Sequence, residues 1–166
     1  MRQLILIRHA KSSWSNPDLS DFDRPLNKRG KRDLAFMSVL LSQKNITPEL
    51  IISSPALRTK LTAIEFANKI GYNKNEIIWN KNLYLASYMK ILKIIKQIEN
   101  KINCAIIVGH NPGLTDLQNY LCNEEIDNIP TSGIVSMSTI KEWKDVESKD
   151  FELVFFEFPK KYLKKI

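Results

Sequence analysis

The sequence MRQLILIRHAK, Met1–Lys11, opens the chain with an apolar run that ends in two basic side chains. Leu4–Ile7 is apolar without interruption, which is typical of a central strand covered on both faces. Arg8 and His9 follow directly. Because ligands bind at the carboxyl edge of the strands in open α/β sheets, we expect these two side chains to form the base of an anion site.

The order of strand and helix signals predicts a layered α/β protein. Apolar segments typical of strands occur at 4–7, 50–53, 76–79, 104–108, 133–140 and 151–158. Helical patterns lie between them, at about 28–42, 55–70, 88–98 and 112–121. This order predicts a three-layer α/β/α sandwich whose central sheet is mostly parallel, with an antiparallel C-terminal edge. Since no repeat or linker interrupts it, 1–166 is expected to be a single domain.

Polar residues mark where the helices are expected to begin. Asn27 and Ser87 are predicted N-caps. The pairs Ser54-Pro55 and Asn111-Pro112 indicate a cap followed by proline at the first helical position. Gly71 is the expected end of the second helix.

Composition restricts the class of protein. Hydrophobic residues make up 43% and charged residues 26%, and no apolar run approaches the roughly 20 residues of a membrane span. The first strand begins at once, without a signal-peptide pattern, so we expect a cytoplasmic monomer with no membrane partner. Cys104 and Cys122 are too few for a disulfide framework or a metal site, and we expect buried thiols.

The formal net charge of +7 is moderately basic. Part of it comes from a C-terminal cluster of four lysines, Lys160, Lys161, Lys164 and Lys165. Basic residues are not interleaved with aromatic residues along one face, so no nucleic-acid partner is expected. The charge could instead attract an acidic substrate.

Basic side chains follow three of the predicted strands. Arg8 and His9 follow the first strand, Arg58 lies in the first turn of the helix after the second, and His110 follows the fourth. The carboxyl ends of parallel strands meet at one edge, beside helix N-termini that favour anions. Guanidinium groups match phosphate in a bidentate manner. The sequence therefore predicts a phosphate site that contains the only two histidines of the chain.

These four residues also predict a reaction. A phosphoryl group held by Arg8, Arg58 and His110 would present its phosphorus to His9, whose neutral ring could attack in line and form a phosphohistidine that water hydrolyses. This chemistry needs no metal and no cofactor. Ligation of a metal by the two histidines is disfavoured, because no third ligand is placed with them.

The polar loop 12–25 supplies further candidates for substrate binding. Ser12 and Asn16 could donate hydrogen bonds to a substrate, although the polarity of a loop alone explains them. Arg24 either contacts the phosphate or anchors the loop through a salt bridge to Asp21 or Asp23, and we favour the anchoring role slightly.

Four segments carry a resemblance to a known family, in this order: Arg8-His9-Ala10-Lys11-Ser12-Ser13-Trp14, Asp23-Arg24-Pro25-Leu26 with Gly30, Ser53-Ser54-Pro55-Ala56 with Arg58 and Thr62-Ala63, and Gly109-His110-Asn111-Pro112. Together they resemble the histidine phosphatase superfamily, and the short chain with RHAKSSW resembles its SixA-type phosphohistidine phosphatase branch. The resemblance implies a phosphoglycerate mutase-like fold, with His9 as the phospho-acceptor and Arg8, Arg58 and His110 as phosphate ligands. It implies a phosphorylated protein or a small phosphorylated molecule as the partner.

One departure from the family pattern bears on the substrate. Many members carry an acidic proton donor after the third strand, whereas 77–98 here contains no Asp or Glu. Because loss of a general acid typically slows a reaction by about 10²–10⁴-fold, a phosphohistidine, with its better leaving group, is favoured over a phosphomonoester. A sugar-phosphate mutase is disfavoured. Four aspartates could substitute for the acid: Asp18, Asp21, Asp23 and Asp116.

Two alternatives stay open at this point. One is a phosphatase for small metabolites. The other is a non-catalytic module that binds phosphate or a phosphoprotein and releases it unchanged. The absent acid is the only feature that favours such a module, since every expected catalytic position is filled.

Overall fold

The computed structural model describes residues 1–164, so Lys165 of the predicted lysine cluster and Ile166 lie outside the described residues. The strands in this part of the chain are β1 Arg2–Arg8, β2 Leu50–Ser53, β3 Ile78–Trp79, β4 Cys104–Gly109, β5 Ile134–Thr139 and β6 Glu152–Glu157. The α-helices are α1 Lys28–Ser42, α2 Leu57–Ile70, α3 Tyr88–Lys96 and α4 Gly113–Leu121. Within 1–164, no helix has both the length and the apolar character that crossing a membrane requires.

The strands form one sheet in the order β3-β2-β4-β1-β5-β6. The pairs β1–β4, β4–β2 and β2–β3 are parallel, whereas β5 runs antiparallel to β1 and to β6. Strand β1 is inside the sheet, and the side chains of Leu4–Ile7 are completely buried, as the apolar run predicts. The mostly parallel sheet with an antiparallel C-terminal edge is thus confirmed.

Two helices cover each face of the sheet. Helices α1 and α2 pack through Met37 and Phe66 against Ile5 and Ile7 of β1. Alternate residues of the same strand point the other way, and Leu4 and Leu6 pack against α3 and α4. Because successive side chains of a strand face opposite sides, one apolar run supplies both halves of the core. The α/β/α sandwich is confirmed.

Two of the predicted helix starts are confirmed and two are wrong. Asn27 accepts a hydrogen bond from the backbone N–H of Gly30 at 2.7 Å, and Ser87 caps α3 in the same way. Helix α2 begins only at Leu57, because the backbone N–H of Ser54 continues the sheet pairing to Val108 at 3.1 Å. The end of α2 at Gly71, whose φ is 77°, is as predicted.

The other differences are local. Helix α4 begins at Gly113, and Pro112 is its N-cap residue. The side chain of Asn111 accepts hydrogen bonds from the N–H and the hydroxyl of Thr115 at 3.3 and 2.9 Å. An N-cap side chain bonds two or three residues along the chain, whereas Thr115 is four residues away, so Asn111 is not the predicted cap. The third strand is shorter than predicted, since a 3₁₀ turn, Lys74–Glu76, takes up its expected start.

Candidate active site

The strand register explains why distant segments meet. Arg8 in β1 is opposite Gly109 in β4, and Ser53 in β2 is opposite Val108 in β4. The pairing continues past the strand ends, because the N–H of His9 donates to the carbonyl of Gly109 at 3.1 Å. The carboxyl ends of β1, β4 and β2 therefore form one edge, and the residues that follow them become neighbours.

The segment after His9 is fixed by contacts with both helices on its side of the sheet. The N–H of Ala10 donates to the Thr62 hydroxyl of α2 at 2.9 Å, and the Lys11 carbonyl accepts from the N–H of Asn27 at 3.0 Å. A Cβ atom on Gly30 would lie 2.1 Å from the Lys11 oxygen, so only glycine allows α1 to approach this closely. The backbone around His9 is held in place before any substrate binds.

His9 is held as a neutral ring with one specified proton. Its Nδ1 lies 2.8 Å from the carbonyl oxygen of Ala10, and because a carbonyl can only accept, Nδ1 carries the proton and Nε2 carries the lone pair. Burial lowers the pKa of His9 to about 4; the hydrogen bond to Ala10 opposes this shift, and the charges of Arg58 and Arg8 reinforce it. At neutral pH, Nε2 is therefore available as a nucleophile.

His110 is 2% exposed, and both of its ring nitrogens are engaged. Its Nδ1 lies 3.4 Å from Nη2 of Arg58, and its Nε2 lies 2.8 Å from the hydroxyl of Ser54. A guanidinium can only donate, so the ring proton is on Nε2 and Ser54 accepts it. Burial lowers the pKa of His110 to about 3, and the charge of Arg58 lowers it further. The centroids of the two histidine rings are 5.3 Å apart.

Two arginines lie beside the histidine pair. Arg8 donates from Nη1 to the carbonyl of Ile129 at 2.9 Å, and Arg58 is 3% exposed in the first turn of α2. In the described part of the chain, the Nε atoms of Arg8 and Arg58 are buried without a hydrogen-bond partner. Since an unpaired buried donor is unfavourable, both nitrogens are suited to bind an anion.

Asp21 is the acidic residue that joins this cluster. Arg58 donates from Nη1 to its carbonyl at 2.7 Å and from Nη2 to its Oδ2 at 3.0 Å. Arg24 donates to Oδ1 from Nε and Nη2 at 3.2 and 2.9 Å, and the Tyr84 hydroxyl donates to Oδ2. Burial opposes ionisation, but these hydrogen bonds outweigh it and hold the pKa of Asp21 well below its ordinary value.

The predicted salt bridge between Arg24 and Asp21 is present. Arg24 also donates from Nη1 to the Ser12 hydroxyl at 2.7 Å and stacks 3.5 Å from the ring centroid of Trp14. Ser12 thus holds the arginine. Asn16 is exposed and makes its hydrogen bonds within its own loop, so the structure does not bring it to the cluster.

The other three candidate acids lie elsewhere. Asp23 accepts a hydrogen bond from the Ser20 hydroxyl at 2.7 Å. Asp18 is exposed in the loop, and Asp116 is exposed in the first turn of α4. Asp21 is the candidate acid that the described contacts connect to Arg58.

The sequence did not indicate the roles of two residues. Ser54 reads as a helix cap, but its hydroxyl accepts from His110. Tyr84 lies in the segment that lacks an acid, and its ring meets that of His110 edge to face, with centroids 5.4 Å apart. The position of Ser54 directly after β2 was the one sequence feature that could have indicated its role at this edge of the sheet. Among residues 1–164, no three His, Cys, Asp or Glu side chains form a group that could hold a metal ion.

Sequence comparison relates part of this chain to a known family. The family model described as histidine phosphatase superfamily (branch 1) matches residues 4–83. An uncharacterized chloroplastic protein of Arabidopsis thaliana is 32% identical over 133 residues, which are 75% of this chain. The chain spans 61% of the length of that relative.

Two solved structures match the fold over almost their whole length. A protein of Agrobacterium tumefaciens, provisionally named phosphohistidine phosphatase SixA, has a TM-score of 0.81 and 26% identity, covering 95% of this chain and 98% of its own. The protein histidine phosphatase SixA complexed with tungstate has a TM-score of 0.81 and 20% identity, covering 96% of this chain and 98% of its own, and shows the same fold. The N-terminal part of this chain thus matches the histidine phosphatase superfamily model, and almost the whole chain is similar in structure to SixA-type proteins.

Proposed function

We propose that the protein is a phosphohydrolase that removes the phosphoryl group from phosphohistidine on a partner protein, with His9 as the nucleophile. The observation that carries the proposal is the state of the His9 ring. Its Nδ1 proton is fixed on the Ala10 carbonyl, and burial lowers its pKa to about 4. The nucleophilic nitrogen is thus unprotonated at neutral pH, beside two arginines that can hold a phosphoryl group.

Substrate binding begins with the phosphoryl oxygens. The unpartnered Nε atoms of Arg8 and Arg58 supply two donors, and the guanidinium charges stabilise the dianion. His110 lies against Arg58 and adds a third side chain at this surface. These groups also stabilise the charge that spreads over the equatorial oxygens in the transition state.

The chemistry proceeds in two displacements. Nε2 of His9 bonds to phosphorus while the P–N bond of the substrate breaks, and its electron pair goes to the leaving imidazole nitrogen. A water molecule then bonds to phosphorus, and the second P–N electron pair returns to Nε2 of His9. The products are a neutral His9, a neutral substrate histidine and dihydrogen phosphate, so atoms and charge balance when the substrate imidazole is initially protonated on its other nitrogen.

Phosphohistidine fits the site because its leaving group needs no proton from the enzyme. An imidazole that already carries a proton on its far nitrogen leaves as a neutral molecule, whereas an alkoxide must be protonated as it leaves. The segment 77–98 has no acidic residue, and the carboxyl of Asp21 is held ionised by its hydrogen bonds. The two arginines supply the charge that a metal would otherwise provide, so we propose that the reaction needs no metal ion.

The competing function is hydrolysis of small phosphomonoesters. The Tyr84 hydroxyl favours it, because burial and the Asp21 carboxylate raise the pKa of this phenol and keep it protonated beside the cluster. A protonated phenol could in principle donate to an alkoxide leaving group. The transfer would have to give up the hydrogen bond to Asp21.

The test compares phosphate release from three substrates in the presence of EDTA: a histidine-phosphorylated protein, p-nitrophenyl phosphate and a sugar phosphate. We expect the phosphoprotein to have the highest kcat/KM, and His9→Ala to abolish release. Faster turnover of the sugar phosphate would favour the metabolite phosphatase. Tight phosphate binding without turnover of any substrate would favour a binding module, and loss of activity in EDTA would contradict the metal-free mechanism.

A further inference from the structure

The proposed chemistry leaves the charge of Asp21 unexplained. Its side chain is 39% exposed, whereas that of Arg58 is 3% exposed, so the carboxylate lies on the solvent side of the arginine. Because Arg58 is buried, a group attached to a phosphoryl bound there would have to reach solvent past the residues that lie outside Arg58, and Asp21 is one of them. A fixed negative charge therefore lies on the solvent side of the arginine.

Four hydrogen bonds keep the Asp21 carboxylate ionised and fix its position. Its Oδ1 accepts two hydrogen bonds from Arg24, and its Oδ2 accepts from Arg58 and Tyr84. A carboxylate has about four lone-pair positions, so all are used in this state. When a phosphoryl oxygen takes the Nη2 donor of Arg58, one position on Oδ2 becomes free for a donor that belongs to the substrate.

A phosphohistidine supplies such a donor. The ring nitrogen far from phosphorus must carry a proton if imidazole is to leave as a neutral molecule, and this N–H needs an acceptor. The nucleophile has the same requirement, which the Ala10 carbonyl meets for Nδ1 of His9 at 2.8 Å. For the substrate, the Asp21 carboxylate is the anionic acceptor that the described contacts bring to Arg58.

We propose that Asp21 selects phosphohistidine by pairing its carboxylate with the protonated imidazole ring of the substrate. The inference rests on the proposed function. The carboxylate raises the fraction of substrate that binds in the protonated, reactive form, and the proton stays on the imidazole throughout the displacement. For a phosphomonoester the same charge lies beside a leaving oxygen that becomes negative, which is unfavourable. One carboxylate thus favours the phosphoramidate and disfavours the ester.

The test is the ratio of two activities in Asp21→Asn. We expect kcat/KM for a histidine-phosphorylated protein to fall about tenfold to a hundredfold, the usual effect of losing one hydrogen bond to a charged group. For p-nitrophenyl phosphate, whose leaving oxygen becomes negative, we expect no loss and a gain of up to about threefold. If the substitution disturbs Arg58 or weakens phosphate binding, kcat/KM falls by the same factor for both substrates. The ratio of the two kcat/KM values is then unchanged.

Two further variants distinguish the effect of the Asp21 charge from a general disturbance of its loop. Asp23→Asn removes the same charge two residues away, where the carboxylate contacts Ser20, and should leave both activities within about twofold. Tyr84→Phe removes a donor to Asp21 but keeps the carboxylate, and should keep the ratio of the two activities within about threefold of the wild type. Thermal unfolding of each variant shows that it is folded.

The outcomes distinguish the inference from the proposed function. An equal loss on both substrates in Asp21→Asn would mean that the carboxylate only positions Arg58, and a larger loss on p-nitrophenyl phosphate would make Asp21 a proton donor. Either result overturns the inference and leaves the proposed function standing. If wild-type protein releases no phosphate from the phosphoprotein but hydrolyses p-nitrophenyl phosphate, the proposed function fails and the inference fails with it.

Discussion

His9 and His110 follow neighbouring parallel strands at the same edge of the sheet, yet their hydrogen bonds differ. His9 directly follows β1, donates from Nδ1 to the next carbonyl, and within the described residues makes no hydrogen bond through Nε2. His110 directly follows β4, and its two nitrogens contact Ser54 and Arg58. Burial lowers the pKa of both rings, so charge does not distinguish them.

The difference shows what assigns a role to each ring. The sheet brings both histidines to one place, but only the partners of each nitrogen decide whether a lone pair is free. His9 has a free Nε2, which suits a nucleophile. His110 has its proton directed at Ser54 and its lone pair at Arg58, which suits a residue that positions and stabilises.

His9→Ala removes the free lone pair and should reduce activity more than any other variant described below. We expect kcat for the phosphoprotein to fall by about 10³-fold or more, because within residues 1–164 no other side chain beside Arg8 and Arg58 offers an unprotonated, unbonded nitrogen. Acid-quenched wild-type protein should carry a labelled phosphoryl group after brief exposure to labelled substrate, and the variant should not. A labelled variant would mean that His110 is the acceptor.

His110→Ala removes the ring whose two nitrogens are both hydrogen-bonded. We expect a fall in kcat of about 10²–10³-fold, the usual effect of losing a group that stabilises transition-state charge. His9 should still become labelled, only more slowly, since its own contacts are unaffected. A rapid-quench experiment measures this rate, and complete absence of label in His110→Ala would contradict the division of roles.

Ser54→Ala tests whether the partner of His110 matters. The variant leaves the Nε2 proton of His110 without its acceptor, and we expect kcat to fall about tenfold, the usual effect of one hydrogen bond, with KM little changed. Ser54→Thr keeps the hydroxyl and should restore most of the rate. Ser13→Ala is a matched control, because among the described residues the hydrogen bonds of that hydroxyl are to Ser15 in the same loop. Failure of Ser54→Thr to restore kcat would indicate a packing effect.

The position of the site could be predicted from the sequence because it depends on strand ends. An apolar run followed at once by Arg8-His9 or Gly109-His110 is a local pattern, and the parallel sheet converts it into proximity. The α/β/α fold could be predicted for the same reason, since alternating strand and helix signals leave few arrangements. The fold is confirmed. The structure brings Arg8, His9 and His110 to the predicted edge, and their role as a site stays a prediction.

The contacts of Asp21 and Ser54 could not be predicted from the neighbouring sequence. Asp21 is one of four candidate aspartates, and it is selected by Arg58 and Tyr84, which lie 37 and 63 residues further along the chain. Ser54 fits a local capping pattern, but strand pairing to Val108 keeps its backbone extended. In both instances a long-range contact outweighed a local preference.

The last prediction concerns the pH dependence of stability, to which both histidine rings contribute in the same direction. Burial lowers their pKa values from 6.5 to about 4 for His9 and about 3 for His110, so between pH 6.5 and about 4 the unfolded chain binds protons that the folded protein does not. The free energy of unfolding therefore decreases as the pH falls through this range, and neither ring contributes to the slope well above pH 6.5. We expect Tm to fall between pH 7 and pH 5, by about 2–4 °C for each kcal/mol of unfolding free energy lost.

The chain contains only these two histidines, so a variant with both replaced by glutamine removes all histidine titration. Differential scanning calorimetry at pH 7 and pH 5 should show a smaller decrease in Tm for this variant than for the wild type. An equal decrease would mean that the folded protein accepts protons on these rings as readily as the unfolded chain does. His9 would then be largely cationic at pH 5, and the lone pair on which its proposed role depends would be lost as the pH falls through 6.5 rather than through 4.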